Sequence, residues 1–143
     1  MANRAIMDVG LQLRDVADAA ETADADEAGI ALDLALNHPD AVEDNSGIDY
    51  RFKAVFHNIV VGGDVAPTQV DFVIDVDSLA AFSDTPVEVG RRTWNGSETE
   101  LEIVLDLNDI LVQDANAAAI RCGMDLTGGT NPTVDYGCFL TKL

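Results

Sequence analysis

The stretch that decides the fold is Ala118-Ala119-Ile120-Arg121-Cys122-Gly123-Met124-Asp125, followed after a short connection by Thr133-Val134-Asp135-Tyr136-Gly137-Cys138-Phe139-Leu140-Thr141. Ala118, Ile120, Cys122 and Met124 alternate with polar or small residues on the first arm. Val134, Tyr136, Cys138 and Leu140 do so on the second. A period of two is the mark of a strand with one buried face. The connection Thr127-Gly128-Gly129-Thr130-Asn131-Pro132 carries residues that turn a chain, since Gly accepts positive φ and Pro ends ladder pairing. The two arms are therefore expected to pair as a hairpin that closes the fold, with Cys122 and Cys138 nearly opposite each other. Both are read as free buried thiols, because no export signal is evident.

Working outward, the same alternation recurs. Tyr50–Val61 places Tyr50, Phe52, Ala54 and Phe56 on one face, and Gln69–Asp77 places Val70, Phe72, Ile74 and Val76 inward. These two aromatic and β-branched segments are expected to form the central antiparallel pair, turning at Gly62-Gly63-Asp64. Val87–Trp94 reads as a shorter strand broken by Gly90. Asn95-Gly96 signals a type I′ hairpin into Glu98–Leu107, where Leu101, Ile103, Leu105 and Leu107 face in. Ile30–Leu36 and Val9–Leu13 are further strands. Asn37–Gly47 is a polar loop, and Asn108–Asn116 is a loop or single helical turn. About eight short strands with polar turns and no long helix indicate an all-β, antiparallel sandwich or barrel in a single domain, residues 1–143.

Arg14–Ala28 is different. It is rich in Ala and acids and lacks an apolar stripe at helical spacing. It reads as an extended interaction arm, with a short helix as the alternative, and it is expected to order against a neighbour.

The charge balance narrows the partners. Twenty-six acids against eight bases give a net charge of −18, a surface that repels phosphate, so direct nucleic-acid binding is not expected. No apolar run is long enough to cross a bilayer as a helix. The first residues lack the apolar core of a secretory signal, which points to use without Sec export.

Chemistry-bearing patterns are few. His38 and His57 are the only histidines, and neither sits in a nucleophile or metal-ligand spacing. Asp24–Gly29 opens like an EF-hand loop but has Ala28 at the fifth position and Ala35 at the twelfth, where a bidentate Glu is needed. Asp71, Asp75 and Asp77 share one strand face and read as solvated exterior residues. No catalytic residue, metal site or cofactor is expected.

The order of features resembles the capsid cement (decoration) proteins of short-tailed double-stranded DNA bacteriophages, the Bordetella phage cement protein family. Val16–Ala28 leading into Ile30-Ala31-Leu32-Asp33-Leu34 matches that family's small-residue stretch and following strand. Val73–Asp77, Ala80-Ala81-Phe82-Ser83-Asp84-Thr85-Pro86 and Val87–Gly90 match its strand, aromatic-centred connection and next strand. Ile120–Met124 with Arg121, Thr127-Gly128-Gly129-Thr130 and Val134–Thr141 match its end. Ala119 stands where the family commonly carries an aromatic, and Asn37–Gly47 reads as an insertion.

The resemblance implies a jelly-roll-like sandwich that self-associates as a homodimer or homotrimer on the capsid exterior and bridges neighbouring major capsid proteins. Arm residues Val16, Ala20, Thr22, Ala25 and Ala28 are the candidate protein-interaction residues, and the arm is expected to be dispensable for folding. The alternative is a carbohydrate- or receptor-binding sandwich of a phage tail or bacterial surface, which requires an exposed aromatic platform; Trp94 is the candidate.

Overall fold

Phe52, Ala54 and Phe56 fall on one side of a long strand, β4 (Arg51–Val65), and all three are fully buried. Opposite them, Val70, Phe72, Ile74 and Val76 of β5 (Gln69–Asp77) are equally buried. The two strands do not pair. Each belongs to its own sheet, and they face one another across the interior with the rings of Phe56 and Phe72 5.0 Å apart. The computed structural model describes residues 11–32 and 51–142, and within them the remaining elements follow from this arrangement.

β1 (Gln12–Arg14), β9 (Thr130–Lys142), β4 and β7 (Glu100–Asp106) form one sheet in that order. In the other sheet β8 (Ala119–Thr127), β5 and β6 (Val87–Thr93) lie side by side. Two short segments, β2 (Ala25–Asp26) and β3 (Ile30–Ala31), pair with β8, one after the other. All pairings are antiparallel. Counting β2 and β3 as one interrupted strand, four positions in each sheet give an eight-stranded jelly roll, a form of the all-β antiparallel sandwich expected from the strand pattern. Apart from the β2–β3 and β5–β6 steps, successive strands alternate between sheets.

That alternation corrects several expectations. β8 and β9 are not a hairpin: Gly128 and Gly129, both at positive φ, carry the chain from one sheet to the other. Ile120, Cys122 and Met124 therefore meet Val134, Tyr136, Cys138 and Leu140 through the core instead of along a ladder, while Ala118 is exposed. Cys122 and Cys138 are free buried thiols in opposite sheets. Asn95-Gly96 is also a crossing, between β6 and β7. Only Gly96 of the pair has positive φ, and the Asn95 side chain accepts hydrogen bonds from Ser97 and Glu98 amides at 2.9 and 3.0 Å, an Asx turn in place of type I′.

Gly62-Gly63-Asp64 does not turn. It continues β4 beside β9, with Gly62 opposite Thr133 and Gly63 opposite Pro132. Gly63 has φ +119 and a Cβ there would lie 2.4 Å from the Asn131 carbonyl oxygen, so its glycine serves a close strand approach. Gly90 likewise does not break β6. A Cβ at that position would stand 2.6 Å from Ile103 Cγ2, so its absence lets the two sheets close on each other.

The first strand lies at Gln12–Arg14, and the strand predicted from Ile30 is seen at Ile30–Ala31. Asp33–Leu36, the Asn37–Gly47 loop, His38 and Tyr50 lie outside the described residues. The predicted loop after β7 contains a short helix, α1 (Leu107–Gln113), capped by Asp106, whose carboxylate accepts from the Asn108 amide at 2.8 Å.

The core is one cluster between the sheets, and its centre is aromatic. Tyr136 packs 5.1 Å from Phe72 and 5.8 Å from Phe56, ring to ring. Such tilted pairs contribute about 0.5–1.5 kcal/mol each beyond their buried area.

Candidate protein-interaction surface

The two long sides of the sandwich are finished differently. One is laced by the N-terminal arm. The other ends in β6 and β7, each paired on a single side among the described residues.

On the arm side, the fixing point is Arg14. Leu13 and Arg14 are adjacent and both buried. The β1–β9 register slips between Gln12 and Arg14, a bulge that re-aims the arginine inward. Its side chain is wholly excluded from solvent. Nη1 donates to the Tyr136 carbonyl and to Asp135 Oδ1 (3.1 Å), Nε to Glu27 Oε2 (3.3 Å), and Nη2 to the Ala19 carbonyl (2.6 Å) and Glu21 Oε1 (3.4 Å). The guanidinium carbon stands 4.4 Å above the Tyr136 ring. One buried cation thus binds the arm at Ala19, Glu21 and Glu27 to β9. The fork geometry and permanent charge of Arg suit this task as Lys would not.

The electrostatics are uneven because three carboxylates surround one guanidinium. Burial by itself would lower the Arg14 pKa, but Asp135, Glu27 and Glu21 outweigh it and the value rises. Glu27 is raised, first by burial and then by the neighbouring Glu21 carboxylate, against the pull of Arg14.

Further ties complete the lacing. Glu21 and Val134 exchange backbone hydrogen bonds of 2.8 and 2.9 Å, and β2 and β3 extend β8. Asp26 pairs with Arg121 at 3.2 Å. Phe82, at a φ of 53 that is unusual for a bulky residue, lays its ring against Gly29 and under the Arg121 guanidinium at 4.3 Å.

The predicted contact residues fall along this lacing. Val16, Ala20, Thr22 and Ala28 are exposed, and Ala25 is half-buried in β2 opposite Met124. Val16 rests over Gly137 of β9. They face solvent, but on a segment built into the sandwich. Removing residues 16–28, expected from sequence to leave the domain folded, would take away two carboxylates and a carbonyl that hold Arg14. Arg14 itself was missed as a structural residue, although it is the only cation between residues 14 and 28, among six acids.

The aspartates of β5 are not solvated exterior residues either. Asp71 and Asp77 are buried and Asp75 is half-buried. Asp71 accepts from Thr93 (2.6 Å), Arg91 (2.7 Å) and Gln69; Asp75 pairs with Arg121 (3.3 Å); Asp77 accepts from the amides of Ser78, Asp84 and Thr85 and shapes the β5–β6 loop. Burial works against ionisation of Asp71, but its hydrogen bonds from Thr93, Gln69 and Arg91 win and its pKa falls. Among the described residues no group of three or more His, Cys, Asp or Glu is arranged to hold a metal ion. His57 is a packing residue: Nδ1 lies 3.2 Å from Asn58 Oδ1, its ring sits 5.3 Å from that of Phe139, and Nε2 is buried over Gly137.

On the opposite side, Arg92 reaches from β6 to the Glu102 carbonyl of β7 at 3.2 Å and to Glu98 at 2.8 Å, covering part of the open edge. Beyond it α1 is anchored by a single buried residue, Ile110. Val104 and Val112 are 55% and 85% exposed. Trp94, the candidate platform, is half-buried against the core and its Nε1 donates to the Glu98 carbonyl at 2.8 Å.

The chain matches no family model, no curated protein and no solved structure.

Arg14→Ala leaves the buried Tyr136 carbonyl and three partly buried carboxylates without their cation and is expected to cost about 3 kcal/mol in urea unfolding, with Arg14→Lys losing less. Glu27 gives a pH signature. Its folded pKa lies above the ordinary value of 4.5, so the native state takes up this proton first. The stability it contributes is present at acid pH and is lost as pH rises through the raised value. Wild type should therefore lose stability relative to Glu27→Gln as pH is raised from about 4 upward; parallel pH profiles would contradict this.

Proposed function

We propose that the chain is a structural virion protein that binds the outside of a phage capsid and stabilises contacts between neighbouring major capsid proteins. The observation that carries this reading is the presence of two differently finished sides on opposite edges of one jelly roll. The arm covers β8 and β9 on one side, and the β6 and β7 edges with the exposed apolar residues of α1 form the other. A bridging protein needs two separated contact surfaces, and this arrangement supplies them. The resemblance in feature order to phage cement proteins supports the same reading, as does the jelly roll.

The physics of cementing fits a small rigid domain. A ligand that binds only the expanded lattice stabilises it by mass action, and many copies on a repeating surface allow each contact to be modest. In this reading the copies self-associate as dimers or trimers, contact the major capsid protein, and avoid the packaged nucleic acid, in keeping with a net charge of −18. Neither catalysis nor a cofactor enters. The carbohydrate-binding alternative loses its motivating residue, because Trp94 turns its indole into the fold.

The test is retention of the purified protein on expanded capsids and on unexpanded procapsids, measured by co-sedimentation. Preferential, saturable retention on the expanded particle is expected. Equal absence from both particles would overturn the proposal.

A further inference from the structure

Between β6, β7 and α1 lies a groove of about 230 Å³. Val89, Val104 and Val112 form its apolar walls, Ile110 lies buried beneath, and Asp106 and Asp109 contribute carboxylates. We infer that this groove docks a segment of a partner protein in which one large aliphatic side chain is flanked by Lys or Arg. The inference rests on the reading of the chain as a protein-docking module and names the chemistry of the partner on this side.

Three observations carry it. The first is size. A cavity of 230 Å³ is below the roughly 300–1,000 Å³ of pockets that enclose small-molecule ligands, and it suits a single anchoring side chain of a protein partner. The second is exposure. Val112 at 85% and Val104 at 55% stand in water on either side of a groove floored by a buried isoleucine, an apolar surface that gains from being covered. The third is charge. Asp106 and Asp109 belong to the lining, no described lining residue is basic, and the chain carries a net −18.

The charge also decides between occupants. A second copy would bring its own Asp106 and Asp109 against the same two carboxylates, and like charges meeting within about 8 Å at physiological ionic strength repel. A basic segment is attracted by the same field and is steered to the groove before its apolar residue seats. Arg92 covers the Glu102 carbonyl further along β7, so the surface left open on this edge is the one beside Val104 and α1.

The probe is a synthetic heptapeptide with a central leucine and three basic residues on each side, titrated into the ¹⁵N-labelled full chain and followed by amide chemical shifts. Shifts concentrated at Val104, Asp109, Ile110 and Val112 are expected. They should be lost with Val112→Asp, with glutamates in place of the basic residues, and in 1 M salt, where screening shortens to about 3 Å. Because Val112 is exposed, the unfolding midpoint of Val112→Asp should stay at the wild-type value. Shifts spread evenly over the acidic surface, or no shifts at the groove, would overturn the inference. So would concentration-dependent shifts at these residues without peptide, which would give the groove to a second copy.

Retention on expanded capsids separates this inference from the function it rests on. If wild type binds capsids and Val112→Asp binds about tenfold less, both stand. Equal retention of the two overturns the groove as the docking site while the capsid reading survives. Peptide docking without capsid retention does the reverse.

Discussion

A guanidinium buried under ten residues of arm is the constraint on which the rest of the structure depends. Water is removed from Arg14, and its donors are met by two backbone carbonyls and three carboxylates drawn from residues 19–27 and from β9. An unpaired charge in that position would cost several kcal/mol, so the arm cannot leave without exposing or orphaning it. The consequence propagates. With Val16 over Gly137 and Glu21 paired with Val134 of β9, β2 and β3 are delivered to β8, and both sheets acquire a covered edge on the same side. The acidic character of the arm is in part the counter-charge of this one arginine.

Closing one side defines the other. β6 and β7 keep their outer edges, and the jelly roll manages them with Arg92 on the Glu102 carbonyl and with the short helix that follows β7. That helix buries Ile110, packs Leu107 against the core and leaves Leu111 and Val112 exposed. The pinned edge and the opposite edge of exposed valines beside aspartates are the two surfaces on which the proposed contacts with other macromolecules rest. Its buried histidine nitrogen, its core thiols and its tyrosine hydroxyl are features of packing: burial pushes the Tyr136 hydroxyl and the Cys138 thiol toward their neutral forms.

Much of this was legible in the sequence, and the part that was not has a physical cause. Alternation by two located Gln69–Asp77 to the residue and identified Phe52, Phe56, Phe72, Cys122, Tyr136 and Leu140 as inward. The pattern reports which face of a strand is buried, and nothing about which strand lies beside it. Hence Gly128-Gly129 and Asn95-Gly96 read as hairpins, although the same turn chemistry serves equally well for a chain that crosses to the opposite sheet. Glycines 63 and 90 misled for a related reason, since a missing Cβ can mean a turn or a close approach. At the surface, the exposed arm residues were legible from composition, but Arg14 was hidden by a bulge, which alternation cannot foresee. The groove at α1 arises from a helix that sequence reading left as a loop or single turn.

Amide hydrogen exchange of the free protein tests the central claim, that the arm is a fixed edge of the sandwich. The amides of Glu21, Glu27 and Leu32 donate to the carbonyls of Val134, Cys122 and Ala118 at 2.8–2.9 Å. They are predicted to exchange as slowly as their neighbours in β8 and β9, and to lose that protection together in Arg14→Lys. Exchange of these three amides at the rate of an unstructured chain in the wild-type protein would contradict the account.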